Sequence, residues 1–271
     1  MDFSSTLEMP DRDRPIIEDE YIIGLFSPAR LVSLARYAGL GPGQRVLDLG
    51  CGYGEALLAW AEHFGISGVG ADADPAHIEW ARNAIANSPY ADRVQYICAD
   101  ATQYPFAASC TQLPSCTQLP SFDLASCITA TNMFGRADVR MYPSSMFRNA
   151  IRHMKKAIRD GGYLLIAEPY YYTADVPQAL IDYEGPLNTE ADLIRTIRDE
   201  GFELVQIAHS DRSDWDRYIS SNLYHTIRWL KENPTHPDRQ RKLESHRRWQ
   251  DMYVGYRVEF QGCVAVLMTS V

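Results

Sequence analysis

No apolar run in this 271-residue sequence approaches the ~20 consecutive residues that a membrane span requires, so a spanning helix is not expected. The opening stretch, MDFSSTLEMPDRDRPIIEDE, carries acids where a secretory signal would place basic residues ahead of an apolar core. Cysteine is sparse: there are six, none paired as CxxC, which argues for reduced thiols over a disulfide frame or a thiolate zinc site. The seven histidines lack HxxxH spacing, so no metal is expected. Positive charge is also short. Against 26 Lys and Arg stand 35 Asp and Glu, a net charge of -9, and an acidic surface repels phosphate backbones, so nucleic acid is not an expected partner. With 46% hydrophobic and 23% charged residues the chain has folded-protein usage. The expectation is a soluble cytosolic protein, monomer or homodimer, with no membrane partner.

From about residue 45, short apolar runs alternate with amphipathic stretches. Strands are predicted at 45–49, 67–72, 94–98, 122–128 and 163–167, and helices at 55–64, 75–87 and 143–159, the last ended by Gly161-Gly162. Such alternation predicts an α/β fold, a mostly parallel Rossmann-like sheet of seven strands with helices on both faces. The C-terminal third adds a helix over 189–200 opened by a Thr189/Asp192 capping box, and a strand over 202–209. Two long helical segments (213–232 and 237–254) precede the last strand, 259–269. They read as a helical cap inserted before that strand. The expected organisation is a single domain: 1–43 as an N-terminal lid containing Tyr21, Ile22, Ile23 and Phe26, 44–168 as a cofactor-binding core, 169–257 as the cap with strand six, and 258–271 as the last strand. The hexapeptide SCTQLP occurs twice in a row, at 109–114 and 115–120, and reads as a local duplication in a surface loop.

The most informative stretch is Val46-Leu47-Asp48-Leu49-Gly50-Cys51-Gly52-Tyr53-Gly54-Glu55, a buried strand running into three alternate glycines with a helix directly after. Glycine permits the tight turn and close approach of a ligand to main-chain amides, and the helix N-terminus offers N–H groups to an anionic group. A dinucleotide fingerprint would place its third glycine three positions after the second; here Gly54 follows Gly52 by two. The acid-x-Gly-x-Gly-x-Gly pattern starting at Asp48 resembles motif I of the class I S-adenosylmethionine (SAM) dependent methyltransferases. The likeness extends over about 44–168. Asp72, ending the second strand, suits a pair of ribose hydroxyls, whereas Asp74, followed by Pro75, reads as a helix N-cap.

The resemblance implies further roles. The glycine turn packs on the methionine part of SAM, Asp48 organises the turn and the amino group, Asp100 receives the adenine amino group, and the Ala101 amide meets the ring. Asp48, Gly50, Cys51, Gly52, Asp72, Ala73, Asp100, Ala101 and Cys127 are therefore the expected cofactor-binding residues, with S-adenosylhomocysteine (SAH) as product.

The acceptor side is less sharply written. The Asp/Asn-Pro-Pro-Tyr-type sequence that DNA and protein-glutamine methyltransferases carry after the fourth strand is absent, which disfavours amino methylation of a nucleobase; Glu168-Pro169-Tyr170-Tyr171 follows the fifth strand instead. The tyrosine run is either packing beneath the cap or an acceptor wall. In the first cap helix Ile219, Leu223, Ile227 and Leu230 share one face, while Trp215, Tyr218, Asn222, His225 and Trp229 share a neighbouring one, a half-buried face or a pocket wall. Ser213 and Asp216 are spaced for a capping box. The segment Ser213–Tyr218 with Trp229 is also similar to a subgroup of bacterial small-molecule methyltransferases. Basic residues crowd 228–248, but Asp238 and Glu244 interrupt them, as on a solvated helix face. Glu168 and His225 are the expected catalytic groups, and Asn132, Tyr170, Tyr171, Trp215 and Tyr218 the expected acceptor contacts. The function expected is methyl transfer from SAM to a small acceptor. The alternatives are a cyclopropane-fatty-acid-synthase-like SAM enzyme and a non-catalytic SAM-binding regulator.

Overall fold

The strand-rich half of the chain closes into one sheet because its apolar runs are buried on both faces. The computed structural model describes residues 25–86, 88–104, 121–135 and 144–271. Its elements are α1 (Pro28–Ala35), β1 (Arg45–Leu49), α2 (Glu55–Phe64), β2 (Ser67–Asp72), α3 (Pro75–Ile85), β3 (Val94–Cys98), β4 (Phe122–Ile128) and α4 (Ser144–Met154). They continue with β5 (Ile158–Tyr171), α5 (Gln178–Glu184), β6 (Asn188–Thr189), α6 (Glu190–Asp199), β7 (Glu203–His209), α7 (Arg212–Glu232), α8 (Arg239–Gly255), α9 (Arg257–Phe260) and β8 (Gln261–Thr269). The sheet order is β3-β2-β1-β4-β5-β8-β7, with the two-residue β6 pairing on β5. Strands β1 to β5 pair in parallel and β8 lies antiparallel between β5 and β7. The seven expected strands are present, and β6 makes an eighth.

Alternation along β5 sorts the two cores. Leu164, Ile166 and Tyr170 point into a cluster with Phe147 and Ile151 of α4 and Leu193 and Ile197 of α6. Leu165 and Ala167 point into the opposite cluster, with Trp60 of α2, Ile78 of α3, Trp215 and Ile219 of α7, and Tyr253 of α8. Trp60 is wholly buried there, and its indole N–H donates to Leu31 O at 3.1 Å, fastening α1 to α2. The cap helices α7 and α8 thus sit on the same side of the sheet as α1 and α2.

Three sequence expectations are corrected. The helix expected over 143–159 stops at Met154: Ala157 N–H folds back to Met154 O, and Ala157 O accepts from Phe122 N–H at 2.8 Å, which starts β5 at Ile158. Gly161-Gly162 consequently lies inside β5, not at a helix end. Gly161 takes φ 67°, and the pairing of β4 with β5 skips between Phe122 and Leu124, an irregularity that glycine accommodates. The box opening the cap helix is formed by Asp211 and Asp214, not by Ser213 and Asp216: each side chain of the former pair accepts the other's backbone N–H, at 2.8 and 2.9 Å. The Thr189/Asp192 box is present as expected. Phe26 is fully buried, whereas Tyr21, Ile22, Ile23 and the SCTQLP duplication lie outside the described residues.

Candidate active site

β1 delivers the chain to Gly50, where the path reverses into α2. Gly50, Gly52 and Gly54 have φ of 71°, 53° and 76°, all in the left-handed region that disfavours any other residue. Gly50 N–H and Cys51 N–H both donate to Ala71 O, at 2.8 and 3.1 Å, clamping the turn to the end of β2. Gly54 also caps α2 without any side-chain acceptor, so the first-turn N–H groups keep their positive end.

Three carboxylates stand at the carboxyl ends of β1, β2 and β3, the edge where open α/β sheets bind ligands. Asp48 is 2% exposed; its Oδ1 accepts from Ser126 Oγ at 2.7 Å, and burial outweighs that bond, pushing its pKa up to about 7. Asp72 is half-buried, its Oδ2 accepting from Gly52 N–H and its Oδ1 from Asp74 N–H, both at 2.9 Å. Burial opposes the change, but His77 beside it and these two amides hold Asp72 below the usual carboxylate range. Asp74 caps α3 as expected, accepting from Ala76 N–H at 2.8 Å. Asp100 is exposed, with Oδ1 accepting from the Thr102 amide and hydroxyl, which lowers its pKa and leaves Ala101 opening the next short turn. Ala73 is exposed between Asp72 and Asp74. Cys127 differs: its side chain is wholly buried in the core among Leu47, Leu49 and Leu164, so it lines no cleft.

Across the same edge, the turn after β4 holds Thr129 at φ 55°, a conformation that costs a β-branched residue energy. Its amide donates to Ala167 O at 3.0 Å, tying the turn to β5. Two residues on, Thr131 Oγ1 donates to Glu168 Oε2. Glu168 is 3% exposed, and its burial raises the pKa to about 7 against the opposing hydrogen bond. Asn132 is exposed on the same turn. Tyr170 is packed in the α4/α6 core, its ring 5.3 Å from Tyr172 and 5.9 Å from His209, so it faces away from the cap. Tyr171 lies one residue on; its hydroxyl donates to Gly185 O at 2.7 Å.

On the cap, the stripe of Trp215, Tyr218, Asn222, His225 and Trp229 does not stay together as one wall. Trp215 and Tyr218 meet Tyr253 and Trp249 of α8. Asn222 turns back to donate to Tyr218 O at 2.8 Å and lines an interhelical crevice of about 40 Å³ with Thr226, Lys242, Ser245, His246 and Trp249. Trp229 lies under Lys242, whose Nζ is 3.8 Å from the ring centre. His225 is ten residues beyond Trp215, roughly 15 Å along the helix axis, with its ring 5.4 Å from that of Tyr224. Two residues of the basic stretch pair locally, Arg228 with Glu232 at 2.8 Å and Arg241 with Asp238 at 3.3 Å, while Lys242 and Arg248 lie over the Trp229 and Tyr183 rings.

Glu55, the first residue of α2, escaped the sequence reading. It is half-buried, with pKa raised to about 8 by burial and partly offset by Arg217 of α7. An acid at the first helical position reads from sequence as an ordinary dipole partner, and only the cap folding over it removes its solvent. Among the described residues no three His, Cys, Asp or Glu side chains converge as a metal site, and no helix is long and apolar enough to cross a membrane.

The sheet order, the glycine turn and the inserted cap define a class I SAM-dependent methyltransferase fold. Residues 46–162 match the family model of the methyltransferase domain. The uncharacterized protein YjhP of Escherichia coli (strain K12) is 29% identical over 214 residues, 77% of each chain. The X-ray structure of YjhP superposes with a TM-score of 0.79 at 25% identity, covering 94% of this chain and 97% of that one. A SAM-dependent methyltransferase from Geobacter sulfurreducens, crystallised with SAH, gives 0.77 at 25% identity over 92% and 94% of the two chains. One from Thiobacillus denitrificans, also with SAH, gives 0.78 at 23% identity over 93% and 94%, a likeness of fold. The chain thus has the fold of the class I SAM-dependent methyltransferases, with a methyltransferase domain matched over residues 46–162.

Proposed function

We propose that the protein binds SAM at the carboxyl edge of β1–β3 and transfers its methyl group to a small organic acceptor, releasing SAH. The observation that carries this reading is the set of carboxylates at three neighbouring strand ends around a left-handed glycine turn. The donors and acceptors fit such a ligand. Asp72 Oδ2 holds the Gly52 N–H and retains a lone pair for a ribose hydroxyl, while Oδ1 holds the Asp74 N–H and faces His77 Nδ1 at 3.5 Å. Asp100 spends Oδ1 on Thr102, leaving Oδ2 for an adenine amino group, with the Ala101 amide beside it. Gly50, Cys51 and Gly52 present backbone to the amino-acid end. Asp48, buried under the turn, acts by holding β1 to β4.

Bound SAM supplies a methyl already activated on a sulfonium. The chain's task is then alignment of the acceptor's nucleophile behind that carbon, worth several kcal/mol of barrier. The proton released by an alcohol, amine or thiol goes to the Glu168 carboxylate, whose value near 7 matches a general base at neutral pH. Asn132, Tyr171, Trp215 and Tyr218 border the acceptor side.

Calorimetry with SAM and SAH tests the cofactor site. Asp72→Ala removes two charge-assisted acceptors and is expected to weaken binding at least about tenfold; unaltered affinity would remove the assignment. Methyl-labelled SAM incubated with a metabolite mixture, followed by mass spectrometry, reveals the acceptor. Binding without any labelled product would favour the non-catalytic alternative.

A further inference from the structure

Glu184 ends α5 on the cap side of the sheet, where four tyrosines surround it. Tyr253 of α8 and Gln261 of β8 hydrogen-bond to its carboxyl group. Its charge is felt by the Tyr171, Tyr183, Tyr218 and Tyr253 hydroxyls, drawn from β5, α5, α7 and α8. The rings continue outward as a connected cluster. Trp249 stacks on Tyr253 at 4.6 Å between centroids, Trp215 lies 6.0 Å from Tyr253, and Tyr183 meets Tyr253 edge-on at 6.4 Å. Glu184 Oε1 is buried and has no hydrogen-bond partner among the described residues. Both hydrogen-bonding neighbours are neutral, and Arg248 spends its guanidinium on the Tyr183 ring, 5.1 Å from the centroid.

Among the described residues a carboxylate so placed lacks a counter-charge. Burial raises its pKa and favours the protonated form, and a cation that arrives restores the carboxylate; aromatic faces with an unpartnered carboxyl oxygen are the surroundings that favour an ammonium group. The cluster also borders the cofactor region. Tyr218 follows Arg217, which offsets the charge of Glu55 directly after the glycine turn. Cys263 lies between, close to both Glu168 and Tyr218.

We propose that Glu184, with the rings of Tyr183, Tyr218 and Tyr253, is the recognition subsite for a cationic amino group on the methyl acceptor, so that the substrate class is amines. The proposal rests on the methyltransferase reading and gives that reading its acceptor chemistry. A protonated amine donates to Glu184 Oε1 and lies against the ring faces, restoring charge neutrality; a neutral alcohol of the same shape leaves the carboxylate uncompensated.

The test is calorimetric titration of the full chain, saturated with SAH, with two matched pairs: n-butylamine against n-butanol, and choline against 3,3-dimethylbutan-1-ol. The amines are expected to bind at least about tenfold tighter than their neutral counterparts, with Glu184→Gln erasing the preference and leaving SAH affinity unchanged. Tyr253→Phe, which keeps the ring and removes the hydroxyl, retains the preference, whereas Tyr218→Leu reduces it. Equal binding of amine and alcohol by the wild-type chain overturns the subsite, as does undiminished amine preference in Glu184→Gln. Should Glu184→Gln fail to fold, Tyr218→Leu decides: amine preference untouched there overturns the proposal as well. Failure of SAH to bind at all would instead strike the methyltransferase reading.

Discussion

Ser126 and Asp48 are register partners across β4 and β1, and the serine hydroxyl donates at 2.7 Å into a carboxyl group that is 2% exposed. Burial, which outweighs that bond, pushes Asp48 up to about 7, and no cation of the described residues offsets it. Glu168, at the end of β5, shares that state for the same reason, burial against one hydroxyl donor.

These two groups, together with Glu55, which burial raises to about 8, set a pH dependence of stability. Between about pH 4, where they ionise in the unfolded chain, and about pH 7 to 8, where they ionise in the folded one, the native state binds the extra protons. Stability is therefore fully present at the acid end of that window and falls as the pH rises through it, by up to ~1.4 kcal/mol per pH unit for each group. Asp72, Asp192 and Glu200, held low by their partners, act in the opposite sense, and lose their contribution as the pH falls below the ordinary carboxylate range. The net expectation is greatest stability near pH 5 and a decline toward pH 8. Urea unfolding at pH 5, 6, 7 and 8 measures it, and Asp48→Asn should flatten the decline by the share of one proton. A stability rising from pH 5 to 8 would show that Asp48 and Glu168 are ionised in the folded chain.

Gly54 is the second pressure point. A Cβ there would stand 2.3 Å from the Tyr96 ring, at φ 76°, and Tyr96 is pinned by its own hydroxyl donating to Gly54 O at 2.7 Å. Gly54→Ala combines a left-handed penalty with overpacking, a cost of about 2–5 kcal/mol. Thermal unfolding checks this. In a double-mutant cycle Tyr96→Leu should relieve the steric part only, giving a favourable coupling; strictly additive losses would mean that the ring is not what crowds position 54.

How much of this was legible in the chain depends on how local the cause is. The glycine turn, the Asp74 cap and the Thr189/Asp192 box were readable because each rests on residues within a few positions of one another. The sheet followed from alternation, since every crossover must bury an apolar stripe. The end of α4 was not readable. Ala157 and Ile158 continue the helical spacing, and what overrides it is a backbone bond to Phe122, 35 residues earlier. The polar stripe on α7 was visible as a stripe, but its partner was not: α8 claims Trp215, Tyr218 and Trp229. Glu184 carried no signal at all, because its surroundings come from four separate elements.

The proton-transfer role of Glu168 can be separated from its packing. Glu168→Gln preserves shape and an acceptor for the Thr131 hydroxyl while abolishing the base. At pH 8, where the wild-type group is ionised in a dry site, the amide removes a buried charge, so the variant should be at least as stable as the parent in urea. Turnover of a protonated acceptor should fall by ~10²–10⁴, seen in kcat with little change in SAM affinity. Thr131→Val offers the complementary case: without that hydroxyl donor, the carboxyl group is pushed further upward, and the rising limb of the pH–rate profile moves to higher pH. If Glu168→Gln keeps full kcat while Thr131→Val leaves the profile in place, the acid is a packing group of the β4–β5 edge and the acceptor surrenders its proton elsewhere.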